Sequence, residues 1–118
     1  MAENSKQYDL EKRTLDFAKN VRAFVRQLPK TIQNIEDGKQ LIRSSGSVGA
    51  NYIEANESLS KKDFGMRIKI SRKEAKESRY WLELIETHEQ ELEFLRKQLL
   101  QEATELMMIL SSIMRKTV

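Results

Sequence analysis

The stretch SSGSVGANYIEANES, residues 44–58, most constrains how this chain can fold. Its glycine, serine and asparagine content is typical of a loop. Apolar and small residues nevertheless recur through it in alternating steps of four and three: Leu41, Ser45, Val48, Tyr52, Ala55 and Leu59. That spacing indicates a buried helical seam. Gly38, Gly46 and Gly49 would each cost the helix up to about 1 kcal/mol relative to alanine. We therefore predict a helix whose small residues are buried against a closely packed neighbour.

Helical periodicity extends over the rest of the chain. It predicts helices over about residues 9–29, 31–58, 61–87 and 89–116. Asp9 is the predicted N-cap of the first helix, Pro29 ends it, and Ser60 with Asp63 caps the third. With 39% hydrophobic and 33% charged residues, the 118 residues fit a single domain. The predicted fold class is all-α, an antiparallel up-down-up-down four-helix bundle spanning residues 1–118.

The third predicted helix has small residues in its middle, as the second does. Its seam consists of Phe64, Ile68, Ser71, Ala75, Ser78, Leu82 and Ile85. Small side chains at its centre would let it approach Gly46 and Gly49 of the second helix, so that the two backbones gain dispersion contacts. We therefore expect these two helices to pack closely along their middles.

Two rows of basic residues lie on the predicted outer faces of the first and third helices. The first row is Lys12, Lys19, Arg22 and Arg26, and the second is Lys62, Lys69, Arg72, Lys73, Lys76 and Arg79. Both rows are candidate contacts for the phosphates of RNA or DNA. One alternative is a solvated face with i,i+4 pairs such as Lys73 with Glu77. Because residues 83–105 are rich in glutamate, another alternative is a head-to-tail contact between subunits.

A second apolar stripe flanks the seam of the third helix, on the side away from the basic row. It consists of Met66, Ile70, Trp81 and Leu84, with Glu77 among them. A bundle needs only one apolar stripe on each helix. The second stripe therefore predicts an oligomer interface with Trp81 as its anchor. The alternative is a broad contact within the chain.

No catalytic or metal-binding signature is present in the sequence. There is no cysteine, and the single histidine, His88, cannot supply the two Glu-x-x-His motifs of a di-iron bundle. The serines of residues 44–47 have no adjacent base. We therefore expect no enzyme activity, no cofactor, no metal and no small-molecule substrate. The alternative is a metal-dependent hydrolase built on Glu54 and Glu77, which lie near the predicted seams.

No apolar run in the sequence approaches the roughly 20 residues that cross a bilayer. The N-terminal MAENSKQYDLEK lacks the basic start and apolar centre of a signal peptide. We therefore expect a cytoplasmic protein with no membrane partner.

Two blocks of the sequence resemble the signature of a bacterial family. QLIRSSGSVGANYIEANESLSKKDF, residues 40–64, and IKISRKEAKESRYWLELI, residues 68–85, are similar to those of the four-helix-bundle 23S rRNA-intervening-sequence proteins. YDLEKRTLDFAKNVRAFVRQLP resembles the opening helix of that family, so the resemblance covers nearly the whole chain. Asn51, Glu54, Glu77 and Trp81 fall at signature positions, which we interpret as packing or interface positions.

The resemblance implies a protein without established enzyme activity. Members are encoded in intervening sequences of large-subunit ribosomal RNA genes or elsewhere in bacterial genomes. The family is similar in fold to the accessory protein of diversity-generating retroelements, a basic bundle that forms ring-like pentamers and engages nucleic acid and a reverse transcriptase. The resemblance therefore implies a homopentamer.

Our leading hypothesis from the sequence is a non-enzymatic homo-oligomer whose basic faces bind RNA or DNA. The alternative is a protein-interaction scaffold whose partner meets the acidic residues 83–105.

Overall fold

Four helices make up the described chain. The structure is a computed structural model that describes residues 2–117, with side chains from residue 9 to residue 117. The helices are α1 (Ala2–Gln27), α2 (Ile32–Asn56), α3 (Lys61–Leu84) and α4 (Gln90–Lys116). Each helix contacts the next along the chain, and α4 closes the ring by contacting α1. The all-α bundle is therefore confirmed, as a body of 45 × 25 × 19 Å with α1 and α3 at opposite corners.

Contacts between consecutive helices run in antiparallel order. From α2 to α3, Ser44 contacts Ser78, Val48 contacts Ser71, and Asn51 contacts Arg67. From α1 to α2, Asn56 donates to Glu11, while Gly38 lies near Val25. From α3 to α4, Arg79 contacts Met107, and Arg96 contacts Leu82. In each pair of helices the residue number rises on one helix as it falls on the other, as expected for helices joined by short connections.

The predicted helix ends are right to within three residues, except at the first. Asp9 is not the N-cap of α1, because the helix begins at Ala2. Residues 2–8 contain no glycine or proline and include alanine, glutamate, lysine and glutamine, which favour a helix. The α1 helix ends at Gln27, since the residue before Pro29 is disfavoured in a helical conformation.

Side-chain caps fix the starts of the two middle helices. The hydroxyl oxygen of Thr31 accepts a hydrogen bond from the backbone N–H of Asn34 over 3.1 Å. The hydroxyl oxygen of Ser60 accepts from the N–H of Asp63 over 3.1 Å, which confirms the predicted cap of α3. Each cap satisfies one of the amides that have no partner in the first helical turn.

The core is formed by apolar side chains from all four helices and from the residues that directly follow α1 and α3. Its buried members are Leu10, Phe17, Val21, Phe24, Leu28, Leu41, Val48, Tyr52, Ala55, Ile68, Ala75, Leu82, Ile85, Leu92, Leu99, Ala103, Leu106 and Leu110. The predicted seam of α2 is buried from Leu41 to Ala55. Its predicted last member, Leu59, is fully exposed because α2 ends at Asn56.

Serines line the contact between α2 and α3. The hydroxyls of Ser44 and Ser78 share a hydrogen bond of 2.9 Å, and both side chains are fully buried. Ser71 donates to the backbone oxygen of Val48 over 2.7 Å, so a side chain of α3 reaches the main chain of α2. Small hydroxyls therefore permit the close approach predicted for these helices and also satisfy each other's polar groups.

The glycines of α2 face α1, and the prediction that they pack against α3 is wrong. A Cβ added at Gly49 would lie 2.8 Å from the hydroxyl oxygen and 3.1 Å from Cβ of Thr14, which is buried. A Cβ at Gly38 would lie 2.9 Å from a methyl of Val25. Periodicity shows which residues turn inward but not which neighbour they meet. The α2 helix thus approaches α1 through glycine and α3 through serine.

Arg96 and Glu93 hold the start of α4 against the end of α3. Arg96 donates to both carboxylate oxygens of Glu93, over 2.8 and 2.7 Å, and to the backbone oxygen of Leu82 over 2.9 Å. The hydroxyl of Thr87 also donates to Glu93. These hydrogen bonds, with Arg96 contributing most, lower the pKa of Glu93 from 4.5 to about 2.

We expect Gly49→Ala to lower the free energy of unfolding by about 1 kcal/mol, because overpacking against Thr14 outweighs the gain in helix propensity. Gly65→Ala is the matched control, since a Cβ there meets nothing within 4 Å. It should raise the free energy of unfolding by up to about 1 kcal/mol. Urea denaturation measures both. Equal stabilisation by the two alanines would show that α1 does not closely approach Gly49.

We expect Glu93→Gln to reduce the acid sensitivity of folding. Because the pKa of Glu93 is depressed to about 2 in the folded chain, its stabilisation is present above pH 4.5 and is lost as pH falls from 4.5 toward 2. Thermal unfolding over that range should therefore show a smaller loss for Glu93→Gln than for the natural chain. Glu91→Gln, at an exposed position of the same turn, is the control and should keep the natural pH dependence. An unchanged profile for Glu93→Gln would contradict the role of this carboxylate.

Candidate nucleic-acid interface

The basic row of α3 lies on the outer face of the bundle. Lys62, Lys69, Lys73 and Lys76 are exposed, and Arg72 is half-buried. Steps of three, four and seven residues keep side chains on one side of a helix. Within residues 9–117, none of these five side chains forms an ion pair with a carboxylate within 4.0 Å. We call these five residues the α3 basic row.

Two of the four carboxylates of α3 are bound by α2 and not by this row. Arg43 donates to Glu77 over 2.9 Å and to Glu74 over 3.4 Å. The negative charge of Glu74, which is buried, is the largest cause of the raised pKa of Arg43. The pair predicted between Lys73 and Glu77 does not form. Arg43 thereby holds Glu74 and Glu77 at the α2–α3 contact. Neither glutamate forms an ion pair with a lysine of the α3 basic row.

Arg79 lies at the edge of the α3 basic row, toward α4. Its guanidinium contacts the sulfur of Met107 at 3.9 Å and a carboxylate oxygen of Glu83 at 3.9 Å. Its Nε is buried and has no hydrogen-bond partner among the described residues. Arg79 therefore keeps unused donor capacity.

Tyr80 extends the row, although it was not predicted from the sequence as a site residue. It follows Lys76 by four residues, so the two lie on the same face of α3, and 59% of Tyr80 is exposed. The ring makes an edge-to-face contact with Trp81, with 5.1 Å between centroids and 80° between planes. The signal available in the sequence was its spacing from the lysines. Trp81, the next residue, was assigned to the apolar stripe.

The basic residues of α1 form a separate surface. Lys12 pairs with Asp16 over 2.8 Å, and Arg22 donates to the backbone oxygen of Ala18 over 3.1 Å. Lys19 and Arg26 are exposed. Because α1 and α3 occupy opposite corners, the two predicted basic rows face in different directions. The structure does not bring them together into one patch.

The apolar stripe of α3 is divided between exposed and packed residues. Met66 is 54% exposed and Leu84 is 46% exposed, whereas Ile70 is half-buried. Trp81 is partly buried and packs against the core of its own chain. Glu77, within the stripe, accepts the hydrogen bond from Arg43. The stripe therefore has features of both alternatives, an intramolecular contact at Trp81 and free apolar surface at its ends.

Asn51 and Glu54, the remaining signature positions, differ in their surroundings. Asn51 is half-buried, donates to the backbone oxygen of Ser47 over 2.9 Å, and accepts from Arg67 of α3 over 3.2 Å. Glu54, predicted to lie near the seam of the second helix, is exposed. Arg43, which binds Glu77, precedes Glu54 by three helical turns, or about 16 Å along α2. The two glutamates of the hydrolase alternative are thus far apart.

Two clefts lie away from the α3 basic row. One of about 870 Å³ lies at the end of the bundle and is lined by residues that include Thr31, Asp37 and His88. The other, of about 560 Å³, lies between α1 and α4, where Arg13 donates to Glu102 over 2.7 Å. Within residues 9–117, no group of three or more His, Asp or Glu side chains is placed to hold a metal ion. None of the described helices has the length and apolarity to span a membrane.

The structure defines a class of protein, an all-α four-helix bundle with small residues buried along α2 and uncompensated lysines on α3. Within that class, the chain belongs to the 23S rRNA-intervening sequence protein family, whose model matches residues 6–112. The resemblance seen in the sequence is thereby confirmed.

A solved structure supports the same assignment. The chain is similar to a protein with unknown function from the S23 ribosomal protein family of Bacteroides thetaiotaomicron. The TM-score is 0.78 at 30% identity, over 93% of this chain and 98% of that one. No curated protein sequence matches this chain. The family assignment therefore identifies relatives but supplies no activity.

Proposed function

We propose that this protein binds RNA or DNA through the α3 basic row and acts by binding, without catalysis. The observation that carries the proposal is that four exposed lysines and Arg72 lie along one helix without a carboxylate partner among residues 9–117. Such a surface attracts a polyanion because each phosphate contact releases condensed counterions. We also propose that the protein is cytoplasmic, a location in which both RNA and DNA are accessible.

The dimensions of the row suit a nucleic-acid backbone. Lys62 and Lys76 are separated by about 21 Å along the helix axis, a length that corresponds to about six base-pair steps of a duplex. Contacts of lysine to phosphate carry no sequence information by themselves. The proposal is therefore for binding with little dependence on sequence.

Two local observations favour binding over catalysis. Ser44 and Ser45 are fully buried and hydrogen-bond to the backbone oxygens of Leu41 and Ile42, so these hydroxyls have structural partners. Glu54 is exposed, and the glutamate with which it would have to cooperate is held by Arg43.

The proposal is tested by Lys69→Gln combined with Lys76→Gln. If each lysine binds one phosphate, the slope of log affinity against log salt should fall by about 1.8 for duplex DNA or about 1.4 for a single strand. Fluorescence anisotropy between about 50 and about 200 mM salt measures this slope. The control is Lys19→Gln combined with Arg26→Gln on α1, which should keep the natural slope. No binding at low salt, or equal changes in both variants, would contradict the assignment to α3.

We also propose a homo-oligomer, with five copies as the family resemblance implies. Support comes from Met66 and Leu84, apolar side chains that remain about half exposed at the two ends of the α3 stripe. A second copy that covered them would remove this apolar surface from water.

Met66→Glu combined with Leu84→Glu should dissociate the oligomer, because it would bury two unpaired charges at the interface. Both positions are exposed within the chain, so the fold should remain intact. Light scattering at tens of micromolar measures the assembly. The matched control is Ile35→Glu combined with Ile53→Glu, at exposed positions of α2. A single-chain mass for the natural protein, or dissociation by both pairs, would overturn the proposed interface.

A protein-interaction scaffold is the second candidate function. It is favoured by Phe94 and Met108, which are 62% and 61% exposed on α4. Their spacing places them on one face of that helix, with Phe94 within the acidic residues 83–105 and Met108 three residues beyond them. Isolation of a stoichiometric protein partner without nucleic acid, lost on Phe94→Ala with Met108→Ala, would favour this candidate.

A further inference from the structure

A shallow cleft, open to solvent and lined only by residues of α3, continues the α3 basic row toward the end of that helix. Its volume is about 400 Å³, and its lining residues are Lys76, Arg79, Tyr80, Glu83 and Leu84. The cleft thus combines an exposed aromatic ring with two cations. A nucleotide presents the matching combination of a flat base and an anionic phosphate.

Tyr80 offers the surface on which a base would stack. The ring is 59% exposed, and its edge-to-face contact with Trp81 restricts its orientation. Trp81 is itself held against the core, so the restriction is anchored in the fold. An aromatic ring held in this way loses little conformational freedom when a base stacks on it.

The two cations of the cleft have capacity for a phosphate. Lys76 is exposed and has no ion pair within 4.0 Å in the described chain. Arg79 meets only the sulfur of Met107 and an oxygen of Glu83, each at 3.9 Å. A guanidinium binds a phosphate more strongly than it binds a thioether, because the guanidinium and the phosphate are both charged. Glu83 lines the same cleft, and its carboxylate offsets part of this positive charge.

We infer that this cleft binds one nucleotide of a single-stranded nucleic acid, with its base on Tyr80 and its phosphate at Lys76 and Arg79. The inference rests on the proposed function and specifies the form of its ligand. In a duplex both faces of a base are covered by its neighbours, so the ring of Tyr80 can reach only an unpaired base. Stacking tolerates any base, which agrees with binding that depends little on sequence.

The test compares Tyr80→Ala with Tyr80→Phe on a single-stranded oligothymidine and on a duplex of equal length at low salt. Tyr80→Ala should weaken single-strand binding about 10-fold or more, because the stacking surface is lost. Its affinity for the duplex should be unchanged. Tyr80→Phe keeps the ring and should retain natural affinity for both ligands. Phe94→Ala, which removes an aromatic ring of similar exposure from α4, is the control and should change neither affinity.

The inference is overturned if Tyr80→Ala leaves single-strand affinity unchanged or weakens both ligands equally. If Tyr80→Ala has no effect while Lys69→Gln with Lys76→Gln lowers affinity, the α3 interface stands and the nucleotide cleft fails. If the natural protein binds neither ligand, the proposed function and the cleft fail together. Circular dichroism on each variant separates loss of binding from loss of fold.

Discussion

The close approach of α2 to both of its neighbours is the constraint on which the rest of the structure depends. Toward α1 the approach is made at Gly49, where no side chain separates the helix from Thr14. Toward α3 it is made by serines, one of which hydrogen-bonds directly to the backbone of α2. Dispersion contacts from this approach offset the poor helix propensity of glycine and serine.

The charge distribution on the surface follows from that approach. Because α2 lies close to α3, Arg43 reaches Glu74 and Glu77 and holds both carboxylates at the α2–α3 contact. The α3 basic row then faces outward without compensation. The local positive charge of this surface is therefore set in part by how α2 packs against α3. The same register places Tyr80 at the end of the row and Trp81 on the core.

Sequence periodicity predicted the number of helices, most of their ends and the inward faces, because each depends on residues close together in the chain. The start of α1 was mispredicted because Asp9 can act as a cap and is also tolerated within a helix. The partner of Gly49, the pairing of Arg43 and the isolation of the α1 basic row could not be predicted. Each depends on the register and rotation of one helix against another, which a single helical period does not encode. Tyr80 was missed although its spacing from Lys76 places both residues on one face of the helix.

The most direct test of this account is native-state amide hydrogen exchange in α2. If residues 44–52 form a helix buried between α1 and α3, their amides should exchange only through global unfolding. Their exchange free energies should then equal those of the most protected amides of α4, near Ala103 and Leu106. Exchange of residues 44–52 at rates typical of exposed loops would show that the small residues are not packed. In that case the close helix contacts, and the surface charge derived from them, would be contradicted.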